Sequence, residues 1–414
     1  MKSLIISHSD ISGGAARAAY RLHKSLYMSS VNSTMLVSRK LSDDYSVLVD
    51  NLKFDRLSLF ISSQISALFQ KQQKTTNSVF HSSNIIGSSI LDKINQSNAD
   101  IVNLHWVNRE CLSVKQISKV NKPVVMTLHD MWAFCGSEHY TNGEVDERYI
   151  EGYTESNRPE GHSGIDIDRA TWLRKVKYWK KPFTIVTPSN WLSKCARKSA
   201  LFRGWPIHTI PNALDTSLYR PIDKELAREL LGLPQECRLI GFGAIGGGRD
   251  PRKGYDLLQD ALMQLSGKIE NTTCVICGQS KPEYVKDVGM PQHYLGHLND
   301  DITLALFYNA IDVMVVPSRM DNFPQSATEA QSCGTPVVAF DTTGLIDVVE
   351  HKKSGYLAKA FDTNDLAAGL HWCLFESHAS KVSHNSRRRA VELWDSKVVA
   401  DQYSRLFKEV ARSA

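Results

Sequence analysis

Short, continuously apolar runs alternate with amphipathic stretches along this chain, and the alternation plays out twice. In the first half the runs fall at residues 3–7, 34–38, 101–104, 124–128 and 184–188, and in the second at 238–242, 273–277, 294–295, 313–316, 336–340 and 355–357. A strand wetted on one face alternates apolar and polar residues. A strand covered on both faces reads as an unbroken apolar run, the mark of a parallel sheet wound with helices on both sides. The Pro/Asn/Asp-rich passage from Ile210-Pro211-Asn212 to Tyr219-Arg220-Pro221 separates the two series. A chain of 414 residues also exceeds what one hydrophobic core supports. The expected architecture is α/β, with two Rossmann-like, doubly wound parallel-sheet domains at 1–205 and 206–390. A last helical segment, 391–414, has no strand to feed and is expected to pack back on the first domain.

Composition narrows the class of partner. The formal charge of +5 gives no reason to expect nucleic acid and suits an anionic small ligand or an anionic lipid surface. The opening run Leu4-Ile5-Ile6 is interrupted by Ser7, His8, Ser9 and Asp10, too soon for a signal-peptide core or a membrane span, so a cytoplasmic protein is expected. Two segments, 57–69 with Lys71 and Lys74 behind it and the basic-aromatic 174–181, suit either a membrane interface or ordinary packing. Cys274 and Cys277 sit inside an apolar run with no second pair at matching spacing, which reads as buried thiols rather than a metal or redox site.

Two loops carry the candidate chemistry. In the first, Pro317 to Pro324 leads through Asp321 into a short helix that stops at Gly334 before the apolar run 336–340. Pro324 suits a first helical position, Asn322 can cap the free amides, and Gly334 suits the left-handed residue beyond the end. The helix start offers N–H groups to an anion, while Asp321 and Glu329 suit uncharged hydroxyls on the same ligand, a combination that fits phosphate plus sugar. In the second loop, Gly241, Gly243 and Gly246 satisfy G-x-G-x-x-G, but no helix opens there and no acidic residue ends a strand near position 261, as a dinucleotide site requires. What remains is a glycine-rich loop with Arg249, Arg252 and Lys253 at a helix start, able to neutralise a diphosphate without a metal. Gly13 and Gly14 make a third turn where a ligand can approach helix amides.

Taken together, these residues resemble the retaining glycosyltransferases of family 4, whose GT-B fold sets two Rossmann-like domains facing across a cleft. The likeness covers nearly the whole chain. It rests on Gly13-Gly14, Thr127-Leu128-His129-Asp130-Met131-Trp132, Pro188-Ser189, Ile210-Pro211-Asn212, Arg252-Lys253-Gly254, Gly334-Thr335-Pro336-Val337-Val338, and Asp321 with Glu329 seven intervening residues later. Asn103-Leu104-His105-Trp106, the His129 block and the loop from Asp250 to Gly254 are most similar to members that build bacterial O-antigen and exopolysaccharide units. The resemblance implies hexose transfer from a UDP- or GDP-sugar donor to a saccharide acceptor, lipid-linked, at the cytoplasmic face of the inner membrane, without metal or other cofactor. It implies catalytic roles for Asp321, His129, Lys253 and Arg252, and donor binding by Glu329, Asn322, Phe323, Pro324, Arg249, Gly13 and Gly14. In that scheme Asp321 and the backbone after it hold sugar hydroxyls, Glu329 the ribose, Arg252 or Lys253 the diphosphate, and His129 the transferred sugar. Asp321 stands where the family usually has Glu, and Ala244 where it usually has Arg, so Arg249 or Arg252 must supply that charge. Asp166-Ile167-Asp168 matches the Asp-x-Asp with which some glycosyltransferases of another fold hold a metal, but its loop-then-helix context offers no third ligand. Two other functions suit the same architecture: a sugar-nucleotide epimerase, and a non-catalytic nucleotide-sugar-binding assembly protein.

Overall fold

The apolar runs pair as parallel strands. β1 (Lys2–Ser9), β2 (Asn32–Arg39), β3 (Val47–Val49), β4 (Ile101–His105), β5 (Val124–Thr127), β6 (Thr184–Thr187) and β7 (Ile207–Thr209) form a seven-stranded sheet in the order β3-β2-β1-β4-β5-β6-β7. β8 (Arg238–Gly243), β9 (Thr272–Cys277), β10 (Gln292–Gly296), β11 (Val313–Val316), β12 (Val337–Phe340) and β13 (Gly355–Ala358) form a six-stranded sheet in the order β10-β9-β8-β11-β12-β13. Every neighbouring pair in both sheets is parallel. The computed structural model describes residues 1–29, 31–49, 53–142, 146–243, 246, 248 and 250–413, without the side chains of 53–59.

Both sheets reverse their order at the first strand. The chain steps outward from β1 to β3 and then returns beside β1 with β4; β8 and β11 repeat the move. At such a switch point the crossovers leave toward opposite faces and their loops part, which opens a crevice at the carboxyl ends of the strands. Ile5, Ile6, Val102 and Val125 in the first sheet, and Ile240, Val275, Val315 and Val338 in the second, are completely buried, each contributing about 1.5–3 kcal/mol of apolar burial. Double coverage is thus what the unbroken apolar runs encode.

Met1–Pro211 and the chain from Val399 onward make one compact unit, and Asn212–Val398 makes the other. The first unit runs past residue 205 because β7 pairs with β6, Ile185 opposite Ile207. The helices used below are α1 (Gly14–Met28), α2 (Lys53–Gln70), α3 (Ile167–Tyr178), α4 (Tyr255–Leu265), α5 (Asp301–Ala310), α6 (Gln325–Ser332) and α7 (Ser396–Ser413). α7 buries Val399, Tyr403, Leu406 and Phe407, and the Tyr403 hydroxyl lies 3.1 Å from Thr127 Oγ1 on β5.

The two interface-like segments differ. In α2, Ser62 and Ser66 are buried while Phe60, Ile61, Ile65 and Leu68 face solvent, the reverse of a helix packed by its apolar stripe. In 174–181, Lys175 and Trp179 are buried and Arg174 donates to the carbonyls of Ser83 and Asn84, so much of that face is packed. Among the described residues no helix is long and apolar enough to cross a membrane. The eight cysteines form no disulfide, and burial pushes the Cys274 and Cys277 thiols up to about 12.

Candidate functional site

In the second unit, the loops after β8 and β11 leave adjacent strands at the switch point. Gly241 and Gly243 lie inside β8, where an added Cβ would sit 2.3 Å from Ile311 Cδ1 and 2.7 Å from Cys277 Sγ respectively. These two glycines of the G-x-G-x-x-G pattern are therefore core spacers. Ala244 and Arg249 lie outside the described residues. Beyond them Asp250 caps a single turn, Pro251–Lys253, by accepting from the Arg252 amide, and its carboxylate pairs with Arg252 Nη2 at 2.7 Å. Arg252 also reaches the Met320 carbonyl at 3.3 Å, and the Arg319 amide donates to the Arg252 carbonyl at 2.7 Å. The two loops are thereby stitched together. Gly254 lets them close: it holds φ at +66°, and a Cβ there would lie 1.9 Å from the Pro317 carbonyl oxygen.

That closure sets Lys253 Nζ 2.6 Å from Asp321 Oδ2, with side chains 30% and 11% exposed, an ion pair open on one side. The Asp321 loop is fixed from behind. Its amide donates to Thr343 Oγ1 at 3.3 Å, and its carbonyl accepts from Gly344 at 2.9 Å, where any side chain would collide with the Asn322 carbonyl.

α6 begins at Gln325, so Pro324 stands at the cap rather than at the first helical position expected for it. With ψ at 117° it is still extended, and its carbonyl accepts the first helical bonds from Ala327 and Thr328. Gly334, at φ +82°, ends the helix with bonds from its own amide to Gln331 and from Thr335 to Ala330. Glu329, 4% exposed, accepts a 2.7 Å bond from the Tyr308 hydroxyl of α5, and burial together with Glu329 raises the Tyr308 phenol well above its ordinary value. Asn322 is buried, and the Phe323 ring packs edge-on against Trp394 at 5.9 Å.

In the first unit, Gly13 precedes α1 at φ +90° with open space where a Cβ would be, so its glycine is required by backbone conformation alone. His129 follows β5, and its Nε2 lies 3.0 Å from His105 Nδ1; His105 Nε2 lies 2.7 Å from Asn103 Oδ1. Asn103 donates its amide to Val125 and Thr127, so its oxygen accepts from His105 Nε2–H. His105 Nδ1 then accepts from His129 Nε2–H, which leaves the lone pair of neutral His129 on Nδ1. Burial pushes His129 down to about 4 against the opposing pull of Asp130, and burial with His129 pushes His105 well below its ordinary value. Asp130 stays ionised despite its burial because His139, at 2.6 Å, and the Trp132 amide hold it, and Trp106 Nε1 donates to it as well. His105 and Asp130 lie in the quoted sequence blocks but were given no role, and Tyr308 was not singled out from sequence. The one available signal was Asn103-x-His105, two polar side chains on the same face of an otherwise apolar strand.

At the carboxyl ends of β1 and β2 lies a cavity of about 710 Å³, lined by His8, Arg39, Lys40, Phe60, Phe80 and Arg109 among others. Burial, then Arg109 and Arg39, push His8 down to about 4. Arg39, Lys40 and Arg109 bring positive charge to this cavity, beside Glu110 and the rings of Phe60 and Phe80. The Asp-x-Asp residues part company: Asp166 caps α3 and pairs with Arg148 at 2.7 Å, while Asp168 turns inward.

Residues 247–390 match the family model described as Glycosyl transferases group 1. The D-inositol 3-phosphate glycosyltransferase 2 of Catenulispora acidiphila is 30% identical over 224 residues, 49% of this chain and 52% of that protein. The chain thus spans about half the length of the curated relatives it matches. Among solved structures, the sucrose-phosphate synthase of Thermosynechococcus elongatus superposes with a TM-score of 0.66 at 17% identity, over 100% of this chain and 99% of the other. Anabaena HepE in complex with UDP-glucose gives 0.64 at 17% identity, over 99% of this chain and 100% of the other. These likenesses show the fold: two Rossmann-like parallel-sheet units of the GT-B kind.

Proposed function

We propose that this chain is a retaining, metal-independent glycosyltransferase of family 4 that moves a hexose from a UDP- or GDP-sugar to a lipid-linked saccharide in the synthesis of a bacterial surface polysaccharide. The observation that carries the reading is the open Lys253–Asp321 pair at the second switch point, with Glu329 on the helix behind it. A cation beside a carboxylate at a helix start suits a ligand that is anionic at one end and hydroxylated at the other. The match of residues 247–390 to group 1 glycosyltransferases and the UDP-glucose bound by HepE support the same donor class.

Breaking the bond from the anomeric carbon to the diphosphate builds positive character on the sugar and negative charge on the leaving group. Preorganised positive potential there lowers the barrier most, and this is the role assigned to Lys253, Arg252 and the α6 amides. Asp321 and the backbone after it hold sugar hydroxyls, Glu329 the ribose, and His129 the transferred sugar. Attack from the same face lets the departing phosphate take the acceptor's proton. The cationic cavity of the first unit, with exposed apolar residues of α2 on its rim, supports an acceptor carrying a lipid phosphate and a peripheral membrane contact. The test is thermal shift of the full chain with UDP- and GDP-sugars, followed by donor turnover. Stabilisation by one of them, lost in Lys253→Ala, is expected; no response to either sinks the assignment, and an epimer formed without acceptor replaces transfer with epimerisation.

A further inference from the structure

Three stretches of the first unit, far apart in sequence, meet at His81, Glu138 and Asp168, and one potential ligand atom of each lies within 4.8 Å of the others. Residues 81 and 138 face each other in an isolated antiparallel bridge, and Asp168 is in the first turn of α3. Glu138 and Asp168 are 2% and 4% exposed. Glu138 accepts from the Tyr153 hydroxyl through Oε1, but its Oε2 is enclosed without a hydrogen-bond partner. Asp168 accepts from Gln73 Nε2 at 2.6 Å on one oxygen and from Ser137 Oγ at 2.5 Å on the other, and the second oxygen lies 3.1 Å from His81 Nδ1. His81 Nε2 is 3.3 Å from the Asn77 carbonyl, and because Ser137 gives its proton to Asp168, Nδ1–H donates toward Ser137 Oγ and Asp168; an ion bound at Nδ1 takes the place of that proton. The nearby basic groups are engaged elsewhere. Lys175 Nζ donates to the carbonyls of Trp132, Cys135 and Gly136, and Arg148 pairs with Asp166. Three potential ligand atoms converge in an enclosed space, and Glu138 Oε2 is the one left without a partner.

We propose that His81, Glu138 and Asp168 form a structural site for one divalent transition-metal ion of the zinc type. One imidazole nitrogen and two carboxylate oxygens make a ligand set that such ions favour, and Ser137 Oγ, 3.0 Å from Nδ1, stands beside it. The outer partners are those that orient metal ligands: a backbone carbonyl on the far nitrogen of the histidine, Gln73 on one carboxylate and Tyr153 on the other. The ion ties the stretch around residue 81 to the turn at 137–138 and to the start of α3. It takes no part in sugar transfer, so it stands or falls apart from the proposed function.

The full chain, purified without chelator, is assayed by plasma mass spectrometry. Chelator-treated protein is then titrated with Zn2+ and Mn2+ while thermal unfolding is followed. Expected are about one zinc per chain and a Zn2+-dependent rise in the unfolding midpoint, with affinity at least about tenfold weaker in Glu138→Gln and in Asp168→Asn. Where a variant does not fold, Co2+ added to the wild-type chain gives a visible ligand-field band that reads the site directly. Absence of retained metal together with absence of any metal-dependent shift overturns the proposal and leaves a proton shared between Glu138 and Asp168. Wild-type zinc affinity in Glu138→Gln also overturns it.

Discussion

Lys253 and Asp321 neutralise each other at 2.6 Å while both keep a side toward solvent, so the pair can admit a diphosphate without first being unburied. The pair is only partly open, Asp321 being 8% exposed, so Lys253→Ala should lower the thermal midpoint modestly, by the equivalent of about 1 kcal/mol. Steady-state kinetics on the donor should show kcat/KM down at least about tenfold from loss of the charge on the leaving group. Glu329 behaves differently. Glu329→Ala strips the acceptor from the buried Tyr308 hydroxyl and should cost about 1–3 kcal/mol of stability as well as donor affinity. Glu329→Gln keeps an acceptor for Tyr308, so calorimetric titration with UDP on that variant isolates the ribose contact: weaker binding with a near-normal midpoint is expected. The sequence marked both loops, because glycine, proline and charge cluster there. That Lys253 would meet Asp321 was not legible, since 68 residues separate them. Tyr308 gave no signal at all, for a tyrosine at a helical core position looks the same whether or not its hydroxyl serves a carboxylate.

Glycines at element ends separate backbone demand from close approach. Gly254→Ala meets both the strain of φ +66° and the Pro317 carbonyl, so it should cost about 2 kcal/mol or more and lower turnover by displacing Lys253. Gly204→Ala, at φ +82° with nothing near the added carbon, should cost only about 1–2 kcal/mol and spare activity; urea unfolding of the two variants makes the comparison. A second element contact is sensitive to pH. His23 of α1 reaches Ser33 on β2 at 2.9 Å and Ser46 at 2.8 Å, and burial pushes it down to about 4, with Asp44 opposing and Lys24 assisting. The unfolded histidine protonates near 6.5, so the stability held by the neutral ring is complete above that value and is lost as pH falls toward about 4. Urea unfolding should show about 1–2 kcal/mol less stability at pH 5 than at pH 7.5 from this group, and a shallower pH dependence in His23→Asn. At this scale the central strands were readable, because coverage on both faces writes an unbroken apolar run. Edge strands β3 and β7, three residues each, were not. In α2 the spacing revealed an apolar face, but spacing does not say what covers it, and here the serines face inward.

The doubled α/β pattern was legible across the whole molecule because each sheet repeats the same winding, and each unit carries its own buried core. The meeting of His81, Glu138 and Asp168 was not, since it depends on three chain crossings that no local pattern records. Two cores should give two calorimetric transitions, and a nucleoside diphosphate, which lacks the sugar assigned to His129, should raise the one belonging to Asn212–Val398. The chain from Val399 onward belongs to the first unit, so removing it strips Val399, Tyr403, Leu406 and Phe407 from that core and leaves Thr127 without the Tyr403 hydroxyl. At about 1.5–3 kcal/mol for each large apolar side chain, the loss approaches the whole stability of a typical domain. Deleting residues 399–414 should therefore abolish the first unit's transition while the second keeps its own, along with its shift on adding UDP. A truncated chain that retains both transitions unchanged would mean that α7 adds little to the first core, and that its buried contacts are replaced from within the sheet unit itself.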